Sequence, residues 1–169
     1  YFSIAQATPS ESWITGKLDY LLVKENDLYH TQRPVSFSSW PTLDPLSHPD
    51  EINSMEDSVS VDLANIDHSN APAGYFASYH AYPYYPDFIS RDSAYQTCSD
   101  DIGQNSYLCY LEDLKNHYRN YPLIIAEFGC PSSWGIAHYA QSGMNHGGMD
   151  ENQQGDADLR SLNTIFSSN

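Results

Sequence analysis

Pro122-Leu123-Ile124-Ile125-Ala126-Glu127-Phe128-Gly129 is an apolar run of strand length that ends in one carboxylate and a glycine. A continuous apolar run, rather than an alternating one, suits a strand buried on both faces, as in a parallel sheet. A carboxylate at the mouth of such a strand is costly to bury without a partner. In an α/β barrel the C-terminal ends of the strands are where catalytic groups sit. Glu127 therefore reads in two ways, as a catalytic carboxylate or as a strand-end residue turned to solvent.

One βα unit upstream, Gly74-Tyr75-Phe76-Ala77-Ser78-Tyr79-His80-Ala81-Tyr82-Pro83-Tyr84-Tyr85-Pro86 reads as a second strand entering an aromatic, proline-rich loop. Residues two apart on a strand share a face, which sets His80 and Tyr82 together. The prolines stop the ladder just beyond Tyr82. His80 is read equally as a site residue or as a satisfied core histidine. Tyr84, in the same loop, joins the candidate substrate contacts.

His-x-Tyr at one strand end and Ala-Glu-Phe-Gly at the next resemble the clan A glycoside hydrolases, (β/α)8 barrels that cleave β-linked sugars with retention. The resemblance implies that Glu127 is the strand-seven nucleophile and that Tyr82 is the strand-six tyrosine bonded to it, with His80 in support. It also implies a carbohydrate substrate, no cofactor, and a setting outside the cytoplasm (extracellular, periplasmic or on the cell surface). The family's acid/base is a strand-four Glu usually preceded by Asn, and no Asn-Glu dipeptide occurs here. A whole barrel takes about 250 residues. The 169 residues here are read as a partial TIM barrel, a single domain over 1–169 running from about strand five to helix seven, with the acid/base outside it. Asp44, Glu56, Asp57 and Asp62 are the carboxylates nearest in sequence to a substitute, but none stands at the required strand end. If the missing acid/base is decisive, the alternative is a non-catalytic carbohydrate-binding or assembly protein on a degenerate barrel. Open barrel edges would then favour self-association or a complementing chain.

The net charge of −15, from 22 acids against 7 Lys and Arg, disfavours nucleic acid and anionic membrane surfaces as partners. No run is apolar enough to span a bilayer. The 14 tyrosines and 3 tryptophans suit both cores and sugar-stacking surfaces. Trp40 and Trp134 follow strand ends and are candidate sugar platforms, or else loop anchors. Asp44 and His48, in Pro-Thr-Leu-Asp-Pro-Leu-Ser-His-Pro, are read as shaping the cleft, with too few ligands for a metal. Cys98 and Cys109 flank a polar decapeptide, which reads either as a disulfide loop or as two free thiols. Cys130 reads as a small packed residue behind Glu127. Nucleotide-binding glycine motifs, a serine nucleophile elbow and zinc spacings are all missing from the sequence.

Thr8-Pro9-Ser10-Glu11 is a capping box opening a helix to about His30. Arg33–Trp40, Tyr75–Tyr82 and Leu123–Phe128 are expected strands, and Val59–Ile66 either a short extra strand or a prelude to the second. Tyr107–Tyr118 and Asp150–Phe166 are expected helices, the latter with Leu159, Leu162 and Phe166 as its apolar stripe. Residues 42–58, 86–105 and 131–148 read as irregular loops, the second apart from a short turn near Phe88. Alternating strands and helices indicate a parallel sheet.

Overall fold

The computed structural model describes residues 1–168. It is a mixed α/β structure with a three-stranded parallel sheet, a separate β-hairpin and four α-helices among those residues. Helix α1 (Pro9–Tyr29) starts where the capping box places it. The Thr8 hydroxyl accepts from the Glu11 amide at 3.2 Å, and the Glu11 carboxylate accepts from the Thr8 amide at 2.8 Å. Ile14, Leu18 and Leu22, four apart, form its buried side. His30 ends it in the left-handed conformation.

Strands β1 (Ser38–Ser39), β2 (Ala77–His80) and β3 (Leu123–Glu127) lie side by side in that order, all parallel. The Arg33–Trp40 strand is much shorter than expected. Besides β1 it contributes an isolated bridge, Val35 to Tyr75. Val59–Ile66 forms no strand; Asp62 caps a single 3-10 turn over Leu63–Asn65, its carboxylate accepting from the Ala64 amide at 2.9 Å. A side chain that folds back on its own backbone in this way competes with a ladder.

Helix α2 (Asp87–Arg91) and a 3-10 turn (Tyr95–Thr97) occupy the expected loop after β2. Helix α3 (Ser106–His117) leads to β3. Residues 131–148 are also not irregular throughout: β4 (Ser133–His138) and β5 (His146–Met149) pair antiparallel. Gly147, at φ 91°, permits that pairing, because a Cβ there would sit 2.0 Å from the Ser133 hydroxyl and 2.3 Å from the Gly135 carbonyl.

Helix α4 (Glu151–Ser167) begins with a second capping box, Asp150 with Gln153. Its core side is Ala157, Arg160, Ser161 and Thr164, whereas Leu159 and Phe166 of the expected stripe are more than half exposed. The stripe was read from apolar spacing. The side that packs is instead chosen by the Arg160 guanidinium, which bonds Asp100 and the Ser142, Gly103 and Gln104 carbonyls.

The core is unusually rich in phenols. Tyr79, Tyr107, Tyr110 and Tyr118 are fully buried with Phe88, and each of the four hydroxyls is paired. Tyr79 and Tyr118 bond each other at 2.9 Å, Tyr107 donates to the Ala81 carbonyl at 2.9 Å, and Tyr110 donates to Asp44 at 3.0 Å. β3, expected to be buried on both faces, is instead an edge strand with Ile124 45 % exposed. Its apolar sequence is that of a covered strand, while no further strand pairs with it among the described residues.

Candidate active site

Because the three strands are parallel, their C-terminal ends lie along one edge of the sheet. Trp40 follows β1, His80 closes β2, Tyr82 lies two residues on, and Glu127 closes β3. The pairing Tyr79 to Ile125 is followed by His80 to Glu127, so β3 carries one extra residue, Ala126, at that point. A bulge of this kind re-aims side chains. Here it sets Glu127, rather than Ala126, level with His80.

Tyr82 donates a hydrogen bond from its hydroxyl to Glu127 Oε1. His80 Nδ1 approaches Glu127 Oε2 at 2.9 Å, without the alignment of a hydrogen bond. Burial, and then the carboxylate it serves, push the Tyr82 hydroxyl up to about 12. It therefore keeps its proton at neutral pH and acts as a fixed donor. The Glu127 side chain is 53 % exposed, so the carboxylate, though met at both oxygens, remains open to solvent.

The Trp40 ring stands against both supports, with centroids 5.3 Å from His80 and 5.9 Å from Tyr82. It is 38 % exposed and presents a flat apolar surface beside Glu127's partners. The structure thus brings Trp40, His80, Tyr82 and Glu127 together. Gly129 turns the chain away at φ 121°, and Cys130 behind it is buried, its amide donating to Asp158 at 2.6 Å. Burial, with the nearby Asp158 carboxylate, raises the Cys130 thiol to about 12, so it stays protonated and packs rather than reacts.

The other candidate contacts are placed differently. Asp44, read as a cleft residue, is buried. His48 Nε2 lies 3.0 Å from its Oδ1, the Leu46 amide donates at 2.9 Å, and the Tyr110 hydroxyl donates to Oδ2. His48 in turn lies flat on Phe88, with centroids 3.4 Å apart. These residues join the loop after β1 to helix α2 and face no open cleft. Tyr84 is 7 % exposed and stacks between Tyr82 at 5.6 Å and His146 at 4.8 Å, so it buttresses the site from behind. Trp134 stands fully exposed on β4, beside a depression of ≈ 450 Å³ lined by Ser133, Met149 and Glu151 among others. It makes no ring contact with the Trp40 cluster among the described residues.

His138 and His146 escaped the sequence reading as site residues. They face each other across the hairpin, their rings parallel with centroids 5.7 Å apart, and continue the stack from Tyr84. The signal that could have found them is the Gly147-Gly148 pair, which marks a strand with close backbone approach. Cys98 and Cys109 form a disulfide. Glu112 lies close by, but bonded sulfurs leave no thiolates there for a metal. No helix of the described residues is long and apolar enough to cross a membrane.

Searches against family models, curated proteins and solved structures found no match to this chain.

Proposed function

We propose that this chain is part of a (β/α)8 glycoside hydrolase of the clan A type. The enzyme would act with retention on β-linked oligo- or polysaccharides outside the cytoplasm, with Glu127 as nucleophile. The observation that carries this reading is the Tyr82 hydrogen bond to Glu127 at the C-terminal ends of adjacent parallel strands, with Trp40 beside it. An oxygen of Glu127 attacks the anomeric carbon as the bond to the leaving oxygen breaks, giving a glycosyl ester. The leaving oxygen takes its proton from a second carboxyl, which retention requires about 5–5.5 Å from the nucleophile. Water, deprotonated by that same group, then releases the sugar. Within this chain Tyr82 holds the Glu127 carboxylate, His80 walls its other oxygen, and Trp40 offers its ring to a sugar face.

The carboxylates nearest in sequence to an acid/base are engaged elsewhere. Asp44 is buried, Asp57 accepts from the His48 amide, Asp62 caps its turn and meets His117, and Glu56 accepts from Asn53. This favours, as second reading, carbohydrate binding without turnover by this polypeptide alone.

A fluoro-sugar with a dinitrophenolate leaving group separates the two readings, because so good a leaving group needs no proton. The expected result is a mass gain of one glycosyl unit on the peptide bearing Glu127, and none in Glu127→Gln. Absence of labelling across gluco, galacto, manno and xylo probes would remove Glu127 as nucleophile. Sugar binding retained in that case would establish the second reading.

A further inference from the structure

Tyr82 bonds Glu127, yet it lies beyond β2, which ends at His80. An isolated bridge from Tyr82 to Tyr85 closes the short turn that follows. The sheet therefore leaves the Tyr82 ring to be placed by its neighbours. Trp40 meets it with centroids 5.9 Å apart and planes at 39°. Tyr84 meets it at 5.6 Å and 29°.

The hairpin in turn holds Tyr84. His146 of β5 lies on the Tyr84 ring at 4.8 Å and 21°, and His138 of β4 lies parallel to His146 at 5.7 Å and 6°. His138 also meets Tyr85 edge-to-face at 4.9 Å, and its Nδ1 stands 3.6 Å from the Asp87 carboxylate at the start of α2. β4 is exposed along its length except at His138. The hairpin thus grips the loop that carries Tyr82 through these two histidines. His146 Nδ1 is buried and makes no hydrogen bond, so this ring works through its face.

We infer that His146, braced by His138, and Tyr84 are positioning residues for Glu127. A column of rings, His138, His146, Tyr84 and Tyr82, runs from the hairpin to the nucleophile's donor and fixes where that hydroxyl points. Aromatic contacts favour particular offsets and tilts, so a ring that shifts carries its neighbour with it. The column acts on the carboxylate through the Tyr82 hydroxyl, and its effect vanishes when that hydroxyl is removed. Its part in turnover rests on the reading of Glu127 as nucleophile; the placement of Tyr82 does not.

The test compares His146→Leu, His146→Phe, Tyr82→Phe and the double variant His146→Leu/Tyr82→Phe. Each is read by fluoro-sugar labelling of Glu127 and by NMR of protein carrying ring-13C tyrosine. Leu keeps bulk without a stacking face, whereas Phe keeps the face and leaves no nitrogen unpaired. His146→Leu is expected to slow labelling by about 3- to 10-fold, the worth of one ring contact. It should also shift the Tyr82 ring resonances, assigned by their loss in Tyr82→Phe. His146→Phe should regain most of the rate and return the resonances. In the Tyr82→Phe background His146→Leu should slow labelling no further, whereas general damage to the hairpin would slow both backgrounds alike. Additive slowing, no recovery with Phe, or Tyr82 resonances unmoved by His146→Leu overturns the inference. If no probe labels the wild type, it is Glu127 that loses its role as nucleophile, and the resonances decide alone: moved by Leu and restored by Phe they uphold the column, and any other pattern ends it.

Discussion

Glu127 stands level with His80 because β3 spends one residue, Ala126, in a register shift. Nothing in Ala-Glu-Phe-Gly announces that shift, although the carboxylate and its tyrosine were both legible as strand-end residues. Tyr82→Phe removes a hydrogen bond to a charged group, worth about 1.5–3 kcal/mol. Labelling by the fluoro-sugar should slow by about 10- to 100-fold, with the lower end expected for so exposed a carboxylate. An unchanged labelling rate would mean that Tyr82 does not position Glu127. Asp44 shows the opposite side of legibility. Set between Leu43 and Pro45 in a proline-rich stretch, it looks like a loop acid, but its burial comes from Tyr110, 66 residues away in sequence, and from His48 lying on Phe88. Removing the acceptor leaves the buried Tyr110 hydroxyl, His48 ring and Leu46 amide without it, at a cost of about 1–3 kcal/mol. Asp44→Ala should show that loss in urea unfolding; a change within error would place Asp44 in solvent rather than in the core.

Among the elements, the helices with side-chain caps were read to within a residue or so. Thr8 with Glu11, and Asp150 with Gln153, write their starts into four consecutive positions. The hairpin was not legible, because Ser133–His138 and His146–Met149 alternate poorly and owe their pairing to Gly147. Nor was the packed side of α4, which is set by Arg160. That arginine reaches the loop before α3, where Asp100 accepts from its Nε at 2.8 Å and its Nη2 at 2.9 Å. Burial pulls the Asp100 carboxyl up, but the bonds from Arg160, the Gly103 and Ile102 amides and Asn105 outweigh it and hold the group at about 2. In the unfolded chain the same group takes its proton near 3.8. Its stabilisation is therefore complete above about pH 4 and is lost as pH falls through about 2. Unfolding midpoints of Asp100→Asn should lie below wild type at neutral pH and converge on it through that acid range. Parallel curves would mean that the Arg160 contact contributes no pH-dependent stability.

At the scale of the molecule, the parallel sheet was legible because strands alternate with helices along the chain. The exposure of β3 was not, since its residues describe a covered strand. The Cys98–Cys109 bridge ties the turn before α3 to that helix across 11 residues of chain. Closing a loop of that order stabilises by about 3 kcal/mol through the unfolded state. Reduction should lower the unfolding free energy by that amount while leaving the far-ultraviolet spectrum native; no shift would mean that the unfolded loop is already closed by residual structure.

The sheet's asymmetry also bears on how the site moves. His80 ends the central strand, held on both sides, whereas Glu127 ends a strand held on one. Local opening starts where fewest backbone bonds must break. Amides of β3 will then trade deuterium with solvent ahead of those of β2. The tyrosine and histidine are the anvil of this site, and the carboxylate is the part that yields.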